Sequence, residues 1–328
     1  MELTIPADTD TFLASAGWAG ANVEALPGDA SFRRYFRVTR DDATTALLMD
    51  APPPQEDPRP FVNVARWLDG NGMRAPRIFH ADEDRGLVLI EDFGVQRMRE
   101  HLDAHPEDEA ETYTAAVDAL AALRDLPPGP FPAYSLAEYL REVRLFIEWY
   151  CPARGLEIDA AGYEAAWREV LEPLLARQKP GVTVLRDYHA ENIMLLGSVE
   201  RQGLLDFQDA LVGHPAYDLV SLLQDARRDV DADLETRMLL HYASCTGADA
   251  QFLDDYAVLG AQRNAKIVGI FVRLWRRDAK PRYLGYIPRV WDLLERDLGH
   301  PALAPVADWF DAHIPADLRE TGGGSFAL

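Results

Sequence analysis

Three side chains in the second half of the chain have the types and the spacing to handle a phosphoryl group. Asp187 lies in Leu185-Arg186-Asp187-Tyr188-His189-Ala190-Glu191-Asn192, directly after the apolar run 182–185, and Asn192 follows it by five positions. An aspartate at a strand end can take the proton of a substrate hydroxyl, and an asparagine amide oxygen close behind can ligate magnesium. Asp206 comes nineteen positions after Asp187, at the end of the apolar run Gly203-Leu204-Leu205, and precedes Phe207-Gln208. A carboxylate there is the more direct metal ligand. A proton acceptor followed by two oxygen ligands is what transfer of a γ-phosphoryl group to a hydroxyl requires, since that reaction asks the protein mainly for positioning and charge neutralisation. The expected cofactors are ATP and Mg2+, with Asp187 catalytic and Asn192 and Asp206 on the metal.

These residues need rigid elements behind them. The first third reads as short strands over 32–38, 44–49 and 86–90, the last continuously apolar through Leu87-Val88-Leu89-Ile90. One helix is predicted over 61–68, fenced off by Pro52-Pro53-Pro54, Pro58 and Pro60. After Gly94 the spacing becomes helical: Val117, Leu120 and Leu123; then Leu136, Tyr139, Leu140, Val143 and Ile147, a run that ends at Pro152; then Tyr163, Ala166, Trp167, Val170, Leu171 and Leu174. The tail Gly322-Gly323-Gly324-Ser325 is expected to be mobile. The fold class is α+β and bilobal. Residues 1–92 form a small, strand-rich nucleotide-binding lobe, and residues 93–328 a larger helical lobe for catalysis and substrate.

Bulk composition narrows the partners. The 328 residues carry 33 basic and 54 acidic side chains, a formal charge of -21. Such a surface repels nucleic-acid phosphates and anionic lipid over most of its area. The two cysteines, Cys151 and Cys245, form no CxxC pair, so neither a disulfide framework nor a structural zinc site is expected. No run of 18 apolar residues is present and the first residues lack a basic and apolar leader, which predicts a cytoplasmic protein without membrane partners. A monomer is the expected state.

Leu185-Arg186-Asp187 through Asn192, Leu205-Asp206-Phe207 and Pro215-Ala216-Tyr217-Asp218-Leu219 together resemble the aminoglycoside phosphotransferase and choline kinase superfamily. The resemblance covers nearly the whole chain. It implies a protein-kinase-like fold, with a small antiparallel-sheet N-lobe and a larger helical C-lobe. Within that superfamily, residues 29–38, 48–53, 207–210, 223–230 and 283–291 are similar to the bacterial anomeric kinases of cell-wall recycling, the N-acetylmuramate/N-acetylglucosamine 1-kinases. That similarity implies ATP-dependent transfer to the anomeric hydroxyl of a small amino sugar, giving a sugar 1-phosphate. Asp218 resembles the helix aspartate that hydrogen-bonds the catalytic-loop backbone. A protein kinase fits less well, because the twelve positions from Asp206 to Asp218 leave little room for an activation loop. Two other readings stay open: an aminoglycoside or other small-alcohol phosphotransferase, which the acidic charge would suit, and a non-catalytic nucleotide-binding regulator.

The remaining candidates follow from the same reading. Gly28 to Tyr35 resembles the phosphate-covering segment, with Ser31, Phe32, Arg33 and Arg34 as nucleotide contacts. Leu89-Ile90-Glu91-Asp92-Phe93-Gly94 resembles the hinge that meets the adenine edge, which brings in Ile90, Glu91 and Phe93. One departure stands out: Met49 lies where such folds carry a strand lysine, and the helix over 61–68 has no acid to pair with one. Either Arg33 or Arg34 then meets the phosphate charge, or this lobe binds nucleotide weakly. Strand alternation sends them to opposite faces, and Arg34 is favoured because Phe36 and Val38 share its side and should face inward. For the sugar, Glu148 with Tyr150 offers a carboxylate beside an aromatic ring, and Gln208 and Asp209 follow the metal aspartate. Arg263 and Lys266 fall on the stripe of Tyr256, Leu259 and Ile270. Buried charge there needs either an internal acid or a bound anion such as a lactyl carboxylate.

Overall fold

The structure is a computed structural model that describes residues 4–27 and 33–326; Ser31 and Phe32 lie outside the described residues. The chain divides into two compact units, Met1–Ala115 with Glu191–Ala210, and Ala116–Ala190 with Leu211–Leu328.

The first unit is built on an antiparallel sheet of β1 (Asn22–Ala25), β2 (Arg34–Thr39), β3 (Thr45–Asp50), β4 (Ile78–Asp82) and β5 (Leu87–Glu91), in the order β1-β2-β3-β5-β4. Period-two alternation sorts its side chains. Phe36 and Val38 of β2, Ala46 and Leu48 of β3, and Leu87 and Leu89 of β5 pack with Phe12 and Leu13 of the helix Thr9–Ser15 and with Trp18. Burial of each large apolar side chain there contributes roughly 1.5–3 kcal/mol. On the other face Tyr35 pairs with Met49, and Met49 with Val88. Gly86 makes the β4–β5 turn with φ +78°, and a Cβ there would come within 2.0 Å of the Ala51 carbonyl oxygen, so only glycine fits. The helix over 61–68 extends to Arg59–Gly70, started by Pro60 in its first turn and buried through Phe61, Val62, Val64, Ala65 and Leu68. The extension adds one acid, Asp69, which is exposed. The first unit also holds the hairpin of β7 (Ile193–Leu195) and β8 (Gln202–Leu204).

The second unit is helical, with one strand pair of β6 (Val182–Val184) and β9 (Leu211–Gly213). Its spine is the helix Ala250–Asp278, which packs on helices Leu136–Leu145, Ala216–Leu223 and Ile287–Leu298. Gly269 allows the closest approach, since a Cβ there would lie 2.3 Å from the Leu145 carbonyl oxygen. The Leu136 run does not stop at Pro152. It passes through a π-helical turn, Phe146–Tyr150, into a short helix, Cys151–Ala153, in whose first turn Pro152 is tolerated. The glycine tail, expected to be mobile, is packed against its surroundings. Gly322 and Gly323 are buried, the Tyr150 hydroxyl donates to the Gly323 carbonyl at 2.9 Å, and Arg154 lies over the Phe326 ring at 3.6 Å. Among the described residues, no helix is long and apolar enough to cross a membrane.

Candidate active site

The loop that carries Asp187 is held by its backbone. Asp218, 3% exposed on the helix Ala216–Leu223, accepts the N–H groups of Leu185 at 2.6 Å and Arg186 at 2.8 Å. Arg186 sits at φ 73°, a left-handed conformation that costs a non-glycine residue free energy unless its surroundings enforce it. The enforcement is visible: Ser221 donates to the Arg186 carbonyl at 3.2 Å, the Tyr188 hydroxyl to the Ala116 carbonyl at 2.8 Å, and the Ala190 N–H to Asp225 at 3.4 Å. Asp187 itself is partly exposed between these anchors. Burial pushes the Asp218 carboxyl up to about 7, against the two N–H bonds and the charge of Arg263.

A buried ionic cluster lies in the same unit. Glu142, 1% exposed, pairs with Arg186, accepts from the Tyr134 hydroxyl and from Gln262 at 3.2 Å, and meets Lys266 Nζ at 2.8 Å. Burial alone would raise its carboxyl; Lys266 and Arg186 overcome that and hold it at about 2. Lys266 also donates to the Tyr217 hydroxyl at 3.1 Å. Of the two expectations for the basic stripe, the internal acid is the one found for Lys266, at Glu142. Arg263 is likewise buried, 3% exposed, and its charge acts on Asp218. Glu142 was missed in the sequence, although it falls three residues after Tyr139 and four before Phe146, on the inner side of an apolar helix. An acid at that spacing was the available signal.

In the first unit the β7–β8 hairpin sets the other two residues. Asn192 immediately precedes β7 and Asp206 lies just past β8, and the Asn192 carbonyl accepts the Leu205 N–H at 2.9 Å. Asp206 is exposed at φ 57°, and the buried Phe207 beside it stacks on Phe61 with ring centroids 5.2 Å apart, fixing the turn. Asn192 Nδ2 is 3.5 Å from one Asp206 oxygen, and Gln208 Nε2 donates to the other at 2.9 Å. Gln208 thus orients Asp206. Asp209 is exposed next to it. Carboxylate and amide oxygens are hard donors of the kind magnesium takes, and a half-turn of the Asn192 amide brings its oxygen to the Asp206 side. The donor set fits that ion.

The two arginines take opposite faces, as alternation requires. Arg34 is on the face of Phe36 and Val38, which is the face covered by the helix Thr9–Ser15, and there it pairs with Asp50, its cross-strand partner. Inward on this sheet means toward a hydrophobic core. Arg33 shares the side of Tyr35, pairs with Glu56 at 3.3 Å and lies within the field of Asp206. Met49 is fully buried and accepts a weak hydrogen bond from Tyr35 at 3.6 Å.

The hinge segment is occupied by internal contacts. Ile90 is buried in β5. Glu91 takes two hydrogen bonds from Arg74, at 2.8 and 2.5 Å, and its N–H goes to the Arg77 carbonyl. Against the upward push of burial, Arg74 and the Arg77 N–H hold the Glu91 carboxyl down at about 2. Phe93 carries Arg74 over its ring at 4.7 Å and closes on Gly203, where a Cβ would lie 2.5 Å from the ring. Glu148 is exposed on the π-helical turn. Tyr150 is not a sugar platform: its ring is fully buried among Phe146 and Trp291, and its hydroxyl is spent on Gly323.

Comparison with known proteins agrees with this architecture. A model of the Phosphotransferase enzyme family matches residues 22–258. A relative from Caulobacter vibrioides, named N-acetylmuramate/N-acetylglucosamine kinase, is 35% identical over 94% of this chain and 96% of its own. Another of the same name, from Pseudomonas aeruginosa, is 39% identical over 89% of each chain. Among solved structures, a choline/ethanolamine kinase family protein from Mesorhizobium loti superposes with a TM-score of 0.64 at 18% identity, over 92% of this chain and 97% of that one. An aminoglycoside phosphotransferase from Streptomyces rimosus, in complex with ADP and streptomycin, does so with a TM-score of 0.53 at 18% identity, over 78% and 98%. The α+β kinase-like fold expected from the sequence is therefore the fold found, and by its family match and its near full-length relatives the chain belongs to the phosphotransferase enzyme family.

Proposed function

We propose that this chain is an ATP-dependent kinase that phosphorylates the anomeric hydroxyl of N-acetylmuramate and N-acetylglucosamine. The observation that carries the reading is likeness along nearly the whole chain to relatives of that name, at 35% and 39% identity. The side-chain geometry supports it. Asp187 accepts the proton of the C1 hydroxyl as that oxygen bonds to the γ-phosphorus and the bond to the β,γ-bridging oxygen breaks, leaving ADP. The backbone anchors on Leu185, Arg186, Tyr188 and Ala190 keep the carboxylate in one place, which matters because this chemistry is mostly positioning. Asn192 and Asp206 hold magnesium, which supplies positive charge at the nucleotide phosphates. Gln208 fixes the Asp206 rotamer, and Arg33 stands in for the strand lysine.

The test is turnover with ATP and magnesium on N-acetylmuramate, N-acetylglucosamine, choline and kanamycin in parallel, read as ADP formed and reducing ends lost. Phosphorylation at C1 removes the reducing end, whereas transfer to any other hydroxyl leaves it. ADP formation matched by loss of reducing ends on the two amino sugars is expected. Turnover confined to choline or kanamycin, or sugar turnover with reducing ends intact, would refute the assignment.

A further inference from the structure

Away from every residue used above, three side chains of different types converge on one point at the surface of the second unit. Asp118 comes from the helix Glu109–Asp125, and His241 and Cys245 lie one turn apart on the helix Ala232–Thr246. His241 Nε2 is 2.6 Å from Asp118 Oδ1, and Cys245 Sγ is 3.8 Å from that nitrogen and 3.9 Å from that oxygen. Side-chain exposures of 31% for His241 and 55% for Asp118 leave the point open to ions and water. We propose that Asp118, His241 and Cys245 bind a divalent cation of the zinc class, as three of four ligands with water as the fourth.

The geometry decides between this and a proton relay. A nucleophilic relay needs the two imidazole nitrogens facing opposite ways, one toward the thiol and one toward the carboxylate. Here the same nitrogen, Nε2, faces both, so the three atoms are arranged around a point and not along a line. In a tetrahedral zinc site, with bonds of about 2.3 Å to sulfur and about 2.05 Å to nitrogen and oxygen, sulfur lies roughly 3.6 Å from each of the other ligand atoms. The observed 3.8 and 3.9 Å need only small rotamer adjustments. The nitrogen–oxygen pair would sit at about 3.4 Å, so the present 2.6 Å hydrogen bond opens as the ion enters. Binding releases the thiol proton to solvent and displaces the proton that Nε2 now donates to Asp118; the imidazole ends with its one proton on Nδ1, and Nε2 presents its lone pair. Carboxylate and thiolate then neutralise the dication. A thiolate ligand selects zinc-class over magnesium-class ions, which separates this site from Asn192 and Asp206. Such a site would run against the expectation, drawn from the cysteine pattern, that no structural zinc site is present. The ligand pair is a His and a Cys four apart on a helix, and the acid comes from 123 residues away, a combination that CxxC spacing cannot reveal.

The test uses the full chain without an affinity tag, stripped with chelator, free of nucleotide, and titrated with Co2+ and then Zn2+. Cys151, the other cysteine, is buried and its thiol is pushed up to about 12 by that burial, so a thiolate signal reports on Cys245. The expected result is a sulfur-to-cobalt charge-transfer band saturating at one equivalent and erased by one equivalent of zinc. Cys245→Ser and His241→Gln should each weaken zinc binding by about tenfold or more, the range seen when a site loses a supporting group, with circular dichroism confirming the fold. Zinc should also slow alkylation of Cys245 in the wild type, a readout that needs no variant. Absence of the thiolate band, zinc affinity unchanged in both variants, or alkylation unaffected by zinc would each overturn the proposal.

Discussion

The two compact units handle charge in opposite ways. Around Asp206 the carboxylate is exposed, and its contacts include two side-chain amides, Asn192 at 3.5 Å and Gln208 at 2.9 Å. Around Glu142 a carboxylate that is 1% exposed is saturated by a lysine, an arginine, a tyrosine and a glutamine. Exposed carboxylates exchange partners at little cost, whereas a buried ionic cluster cannot lose a member without stranding the others. The first arrangement suits a ligand that comes and goes. The second suits a backbone that must not move, since one arm of the cluster, Arg186, is the residue before Asp187.

That contrast makes stability and activity separable. Asp206→Asn, which tolerates the left-handed backbone, should lower turnover by roughly 10²–10³, the scale for removing one preorganised electrostatic group, and abolish the magnesium dependence of ATP binding. Its unfolding midpoint should match the wild type. Glu142→Ala should do the reverse: unfolding in urea should show about 3–5 kcal/mol lost, because two buried cations are left uncompensated. If Asp206→Asn unfolds early, or Glu142→Ala is as stable as wild type, the division of labour fails.

A smaller effect tests the two arginines. Arg33→Ala should raise the KM for ATP or lower kcat roughly tenfold, about what one charge-assisted hydrogen bond carries, while Arg34→Ala should leave both near wild type. Steady-state kinetics on the pair decides: equal losses would return Arg34 to the phosphate site, and equal, negligible effects would remove both arginines from it.

The smallest effect is in pH. Asp218 has its carboxyl raised to about 7 in the folded protein, so the folded state binds more protons than the unfolded one between about pH 4 and 7. Stability should therefore fall as pH rises through that window. Glu142 and Glu91, held at about 2, act the other way: their contribution is present above about pH 4.5 and lost on acidification. Asp218→Asn should flatten the stability profile between pH 5 and 7, measured by urea midpoints. An unchanged slope would mean that the two backbone N–H groups keep Asp218 ionised.

What the sequence disclosed follows from the same contrast. Asp187, Asn192 and Asp206 stood out because exposed polar residues at strand ends, after apolar runs, leave a pattern in one dimension. The central strands did so as well. β1 and β4 were missed because Asn22-Val23-Glu24-Ala25 is only four residues long and mostly exposed, and Ile78-Phe79-His80-Ala81-Asp82 is only half buried. Arg34 was favoured for the phosphates because alternation states which side a residue takes but not what covers that side. Tyr150 and Lys266 looked available until their partners appeared, Gly323 at the far end of the chain and Glu142 on another helix. Those contacts are tertiary, and no local spacing announces them.

The central claim is that Asp187 accepts the proton of an amino-sugar hydroxyl during phosphoryl transfer. The most direct measurement is turnover of N-acetylmuramate by wild type and Asp187→Asn at saturating ATP and magnesium, with ATP binding measured on the same samples. A fall in kcat of about 10²–10⁴, the range for general base catalysis, with ATP affinity unchanged, is the predicted result. A variant that keeps more than about a third of wild-type turnover, far outside that range, would contradict the role and with it the mechanism proposed for this chain.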